Sequence, residues 1–555
     1  MMNKKRLALF LALLLACVML AGCQSNQNAQ NTPTAAATDK PAEAPTEAPA
    51  EVPAEAPAEA PAEAPADAPA AAETDQGEPF AVVENDKDFS ALRTPGSQEE
   101  AYEYRTFFRP GVDGINQPYV GDTMPYYEDG TWYIYYLKEG GDSYNHSIYL
   151  ATTKDFVTYT EYDDPILESS RSGGQDGWAG TGSVVKVKDT YYFFYTGHAS
   201  SDIYEYMEKI MVAKGTAPDQ FEKVDGWEIT PPAELGQKRD FRDPQAYYDA
   251  ENDVIHMTVT ASQDGKARIL KYTLSGDLQK ADYDGIIFTN TAAENFWNLE
   301  CSDTFKLGDK YYLTYSAQDD TLWYAVSDAP YGPYGEAKRL DGKLFYAAKH
   351  VENPEGSYMV GWARRSESPS STSEVSGWAG NLAVQQLAQK ENGDLALVPV
   401  KAVEAQFDKR RQILLGEDQI VIRAGSRYSY TDAFTAYESF MLKGKFSYTG
   451  KGSFGLAFDY NGQNEKTKIV CLNPKEQKLQ LTFNEGETLI TETAAALEAG
   501  KEYSFTYIQE GSVGMFWLED EAALTVRLYG VSGKAIRLFA ESNTITFTDL
   551  REYTR

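Results

Sequence analysis

The chain predicts an all-β protein: a five-bladed β-propeller followed by a C-terminal β-sandwich. One aromatic strand type recurs along residues 81–403, no long amphipathic helix interrupts it, and the pattern changes after 403. The recurring segments are 131–136 (Thr-Trp-Tyr-Ile-Tyr-Tyr), 190–195 (Thr-Tyr-Tyr-Phe-Phe-Tyr), 253–257, 310–315 (Lys-Tyr-Tyr-Leu-Thr-Tyr) and 357–362. They start roughly 50 to 60 residues apart, and turns such as Glu128-Asp129-Gly130 and Leu307-Gly308-Asp309 precede them. Self-similarity at that period is the signature of propeller blades of about four short strands each, so five copies predict five blades. Aromatics make up 13% of the chain, with 38 Tyr, which favours strands and carbohydrate-facing surfaces over helical bundles.

The elements follow in chain order. Residues 1–23 read as a signal peptide: Lys4, Lys5 and Arg6 form a basic start, and 7–20 form an apolar run too short to span a membrane. The run ends in Leu20-Ala21-Gly22-Cys23, which resembles a bacterial lipobox and implies lipidation at Cys23. The expected location is the extracellular face of the bacterial cell membrane, anchored by lipid, or secreted if the signal is an ordinary one. Residues 24–80 are an Ala/Pro/Glu spacer in which Glu43, Glu47, Glu51, Glu55, Glu59, Glu63 and Asp67 recur every four residues. Proline at that density forbids a stable helix and the like charges repel, so an extended, disordered linker is expected. Residues 81–403 form the propeller. Residues 404–555, with alternating segments such as 478–483 and 503–507 between charged turns, form the sandwich.

Composition excludes several function classes. The net charge of -32 would repel a phosphate backbone, so nucleic acid is not an expected partner. With four His, and neither HExxH nor CxxC, no usual metal signature is present, and no cofactor is expected. Cys17 leaves with the signal. Cys301 and Cys471 lie far apart; an exported protein could pair them, but two buried free thiols are expected. The sequence does not give the oligomeric state.

The chemistry is carried by three acidic motifs: Gly121-Asp122-Thr123-Met124-Pro125, Arg242-Asp243-Pro244 and Leu299-Glu300-Cys301-Ser302-Asp303. Each lies near the start of a blade, and a propeller brings such positions together at one end of its channel. Glycoside hydrolysis needs one carboxylate as nucleophile or base and one carboxylic acid as proton donor. A third can hold substrate hydroxyls and raise the donor's pKa through like charge. Taken singly, an Asp before a strand is commonly a turn residue and an Arg-Asp pair a surface ion pair. The ordered triple in a repeat fold gives these residues catalytic meaning.

The order Asp…Arg-Asp-Pro…Glu-Cys resembles glycoside hydrolase family 32, the invertases, levanases and inulinases. The resemblance covers about residues 105–550 and implies a five-bladed propeller followed by a β-sandwich. The segments 523–529 and 539–541 resemble the end of the family's sandwich. The resemblance implies a retaining mechanism. Asp122 would be the nucleophile on a fructofuranosyl unit and Glu300 the proton donor and later base. Asp243 would bind ring hydroxyls and stabilise the transition state, with Arg242 beside it. Trp178 and Ser183, in the 177–183 segment, would border the fructose subsite. Trp297, three residues before Glu300, and Trp378, before Ala379-Gly380-Asn381-Leu382, are further substrate-binding candidates. Aromatic faces stack on sugar rings, although each also suits blade-core packing. Asp176 and Asp303 are expected to be supporting residues.

The first motif departs from the family's Trp-Met-Asn-Asp-Pro-Asn-Gly: here it reads Tyr119-Val120-Gly121-Asp122-Thr123-Met124-Pro125, and Ser302 stands where the family usually has Pro. Three alternatives stay open. One is an inverting family 43-type enzyme on arabinan or xylan, against which Glu300-Cys301 and the sandwich count. The others are fructosyl transfer and a non-catalytic glycan-binding lipoprotein. The expected partner in every case is an oligo- or polysaccharide.

Overall fold

The computed structural model describes residues 105–111, 118–139, 146–170, 173–200, 204–290, 292, 294–365, 378–411, 419–458 and 467–555. The expected signal peptide, Cys23 and the 24–80 spacer lie outside the described residues. The rest is almost entirely antiparallel strand.

Five groups of four strands follow one another. Blade 1 is Tyr119–Glu128, Thr131–Glu139, Ile148–Thr153 and Tyr159–Glu161. Blade 2 is Trp178–Val187, Thr190–His198, Glu208–Ala217 and Gln220–Ile229. Blade 3 is Phe241–Asp249, Val254–Gln263, Lys266–Ser275 and Ala281–Thr289. Blade 4 is Glu300–Leu307, Lys310–Ser316, Leu322–Ser327 and Lys338–Arg339. Blade 5 is Phe345–Asn353, Gly356–Arg364, Gly380–Gln389 and Leu395–Val398. The first strand of each blade packs against the first strands of its two neighbours, and the fifth packs against the first, which closes the ring. A single pairing, Val120 with Gly380, joins blades 1 and 5 into one sheet. Tight hairpins need two residues at positive φ, and Asp129-Gly130 (φ 48° and 79°) and Asp264-Gly265 (φ 51° and 72°) supply them.

The aromatic segments are the second strands of the blades. Successive strand side chains point to opposite faces, and here both faces are covered. Phe193 and Tyr195 pack with Tyr135 of blade 1, while Phe194 between them packs with Phe241 and Ile255 of blade 3. The ring therefore demands unbroken apolar and aromatic runs where a one-sided sheet would alternate. Each such ring, fully buried, contributes about 2 kcal/mol or more.

The sandwich faces a seven-stranded sheet with a six-stranded one. Phe446, Leu456, Leu481, Phe505, Leu524 and Phe547 share its core. It is locked to the propeller by buried polar groups. The Asp341 carboxylate accepts from the Thr525 amide (3.0 Å), the Thr525 hydroxyl (2.7 Å) and Gln385 Nε2 (2.9 Å). Arg527 donates to the carbonyls of Arg364 and Ala363 and to Asn381 Oδ1, each at 2.9 Å. Met515 and Trp517 join the core of blades 5 and 1. Cys301 and Cys471 are buried free thiols, as the sequence suggests.

Candidate active site

Every inner strand breaks its register at the same height. The pairing skips between Val120 and Thr123, Gly180 and Gly182, Arg242 and Gln245, Glu300 and Asp303, and Tyr346 and Lys349. Each break inserts one extra residue, a β-bulge, which bends the strand and re-aims its side chains. Asp243, Cys301 and Ala347 occupy these bulges at φ 58°, 52° and 50°. A bulge is also one of the few strand positions that tolerates proline, which accounts for Pro244. The three acidic motifs are thus three copies of one backbone device.

Asp122 is held by both oxygens. Thr181 donates to Oδ2 (2.8 Å) and Trp362 Nε1 donates to Oδ1 (3.2 Å). Burial raises its carboxyl above the usual range and Glu300 adds to the rise, while Thr181, Trp362 and His146 oppose it. Asp243 is 3% exposed and accepts from the Cys301 amide (2.7 Å), while its own amide donates to Thr196 Oγ1 (2.9 Å). Burial pushes its carboxyl up to about 6, with Asp122 and Glu300 adding to the rise and Arg242 and the Cys301 amide opposing it.

Glu300 opens the inner strand of blade 4. Arg242 Nη2 donates to its Oε1 (3.0 Å) and the Tyr346 hydroxyl to its Oε2 (2.5 Å). Arg242 Nη1 also reaches Glu208 and Asp240, both at 3.2 Å. Burial works against ionisation of Glu208. Arg242, His198 and the Phe241 amide nevertheless hold its carboxyl well below the usual range. Arg242 is therefore a shared cation whose charge is divided among three carboxylates.

The aromatic candidates divide. Trp178 and Trp297 are 45% and 43% exposed, open to a ligand. Arg242 sits 5.4 Å from the Trp297 ring centroid. Trp378 stacks on His146 (4.7 Å), which meets Trp178 edge-on (5.1 Å), and Trp378 leans on Trp362 (6.3 Å). Trp362, Trp378, His146 and Trp178 form a continuous wall beginning at Asp122. Trp378 also accounts for the altered first motif. A Cβ on Gly121 would lie 2.1 Å from the Trp378 ring, so no side chain fits before Asp122.

Ser183 needs correction. It is 4% exposed, and its Oγ accepts from the Ala246 amide (3.0 Å), so it ties blade 2 to blade 3 instead of facing a sugar. The bulge at Thr181 shifts the alternation, and Thr181 is the residue of that segment that touches Asp122. Sequence reasoning missed Thr181, Tyr346, Trp362, Glu208 and His146. None sits in an acidic motif, and Trp362 read only as a strand residue. Asp176 and Asp303 are buried: Asp176 accepts from Tyr195 (3.0 Å), and Asp303 accepts from Tyr247 (2.5 Å) and the His350 amide (2.9 Å). Among the described residues no group of three or more His, Cys, Asp or Glu is placed to hold a metal.

A family model described as the glycosyl hydrolases family 32 N-terminal domain matches residues 113–399. The chain is 27% identical over 283 residues to sucrose-6-phosphate hydrolase of Escherichia coli, spanning 47% of this chain but only 57% of that enzyme. It is 21% identical over 477 residues to sucrose-6-phosphate hydrolase of Staphylococcus xylosus, spanning 80% of this chain and 91% of that enzyme. A Bombyx mori family 32 β-fructofuranosidase variant, solved with sucrose, shares the fold at 16% identity and a TM-score of 0.62, covering 82% of this chain and 95% of that one. The matched residues run through all five blades, and the chain belongs to glycosyl hydrolase family 32.

Proposed function

We propose that the propeller releases fructose from sucrose-type substrates or fructans with retention of configuration. The observation that carries this reading is the set of three carboxylates on three equivalent bulges of the inner strands. Asp122 attacks the anomeric carbon while Glu300 gives its proton to the departing glycosidic oxygen, leaving a fructosyl ester on Asp122. Glu300, now a carboxylate, takes a proton from water, and the resulting attack on the same carbon frees Asp122. The Thr181 and Trp362 bonds fix the Asp122 carboxylate in its attacking orientation. Asp243 accepts from ring hydroxyls, and its charge grows in value as positive charge develops on the sugar. Arg242 and Tyr346, each donating to one oxygen of Glu300, fix its carboxyl group in place. Trp178, Trp297 and Trp378 offer stacking faces for the sugar.

The test is a panel of sucrose, inulin, levan, arabinan and xylan, with released monosaccharide identified by chromatography. Fructose from any of the first three is expected. Arabinose or xylose in its place would overturn the substrate assignment.

The same reading extends to location. The Lys4–Arg6 charges, the apolar run and Leu20-Ala21-Gly22-Cys23 support export and lipid anchoring at Cys23 on the extracellular face of the membrane. Cells fed labelled palmitate should label the wild-type chain and not Cys23→Ala. Equal labelling would contradict the anchor.

A further inference from the structure

A cavity of about 490 Å³ is lined by all five inner strands, including Tyr126, Val184, Tyr247, Phe305 and His350. It is not the catalytic cleft. Along their strands, Pro125–Tyr127, Ala246–Tyr248 and Thr304–Lys306 come three or more residues after Asp122, Asp243 and Glu300. At about 3.3 Å per residue the cavity lies about 10 Å further along the channel. Buried groups separate the two. Lys349, 1% exposed, reaches across to donate to the Gly182 carbonyl (2.7 Å), and Asp303 ties down Tyr247 and His350.

The lining has unmet polar capacity. His350 is 6% exposed, and its Nε2 is buried without a hydrogen-bond partner. The hydroxyl of Tyr334, another lining residue, is also buried and unpartnered. Burial drives the His350 imidazole down to about 3, so it is neutral under ordinary conditions. Its ring stacks on Phe305 at 3.9 Å, which fixes its orientation. Charge at this mouth is mixed: Lys186 pairs with Glu128 at 2.6 Å, and the lining includes one further residue of each sign, Lys306 and Glu352. Tyrosine rings with hydrogen-bonding edges, no net charge and room for a small ligand suit a sugar better than an ion or an acyl chain.

We propose that this far mouth is a second binding site, for a neutral mono- or disaccharide, separate from the catalytic face. His350 Nε2 and the Tyr334 hydroxyl bond sugar hydroxyls there, and the tyrosines cover the ring.

The test titrates the full-length Glu300→Gln variant, which does not consume substrate, with sucrose by calorimetry. Two binding events are expected. Adding His350→Phe should weaken one of them about tenfold, the worth of one buried hydrogen bond, and leave the other unchanged. Tyr331→Ala, at another residue lining the cavity, should weaken that same event. It decides the matter if His350→Phe does not fold. In an otherwise wild-type chain both substitutions should leave sucrose hydrolysis unchanged. No binding, a single event insensitive to both substitutions, or two events that both survive them would overturn the site. Loss of hydrolytic activity in the wild type would count against the catalytic reading and leave this result standing.

Discussion

At Asp122, two donors work against burial. A hydrogen bond to the ionised form lowers a carboxyl pKa, so losing one raises it. Thr181→Val removes such a donor and should carry the acid limb of the pH–activity profile to higher pH. Asp243, raised to about 6, sets a related expectation: kcat/KM should fall as pH drops through about 6, because Asp243 then takes up a proton and ceases to accept from the sugar. An acid limb unmoved in Thr181→Val would show that the threonine does not govern Asp122. The residue before it answers to packing. Gly121→Asn restores the residue of the family pattern but drives it into Trp378. It should lower kcat/KM by about 10- to 100-fold through misplaced groups. Combined with Trp378→Ala, its cost should be well below the sum of the two single costs, as expected for residues in contact. The sequence shows that this motif differs from its family but not why, because the ring that excludes a side chain comes from about 250 residues away.

The inner strand, with its bulge, is the unit that converts a repeat into a site. Each bulge aims a group at its neighbour: Asp243 takes the Cys301 amide of the next blade, and Tyr346 of blade 5 takes Glu300 of blade 4. Tyr346→Phe keeps the ring and deletes the donor. It should reduce kcat/KM about tenfold while leaving the unfolding midpoint within experimental error, as assays and circular dichroism would show. The second strands were legible from sequence, because burial on both faces writes an aromatic run that repeats with the blades. Bulges write no such signal. One inserted residue flips the faces of everything after it, which is why Ser183 looked like a substrate ligand and Thr181 was overlooked. Asp243 and Glu300 were legible because their neighbours, Arg242-Pro244 and Cys301, carry motif information beyond a single carboxylate.

In the whole molecule, the sandwich is bolted to blades 4 and 5. Arg527 reaches two backbone carbonyls and Asn381 of blade 5, and Asp341, between the two blades, gathers Thr525 and Gln385. Arg527→Met would strand these acceptors in a buried interface and should cost about 3 kcal/mol in chemical denaturation. A loss below about 1 kcal/mol would mean that apolar contacts such as Met515 and Trp517 hold the interface unaided. The propeller-plus-sandwich architecture was legible from the period of the aromatic strands and the change of pattern after 403. The polar bolts were not, since they join residues distant in sequence that look ordinary in isolation. All three scales meet in the proposed role of Asp122, delivered by five bulged strands as the nucleophile of a fructose-releasing hydrolase. The decisive experiment follows fructose release from sucrose by the full-length chain beside Asp122→Asn. Steady release by the wild type and a loss of at least about 10³-fold in the variant are expected. No release by the wild type, or release by Asp122→Asn at a comparable rate, would contradict that role.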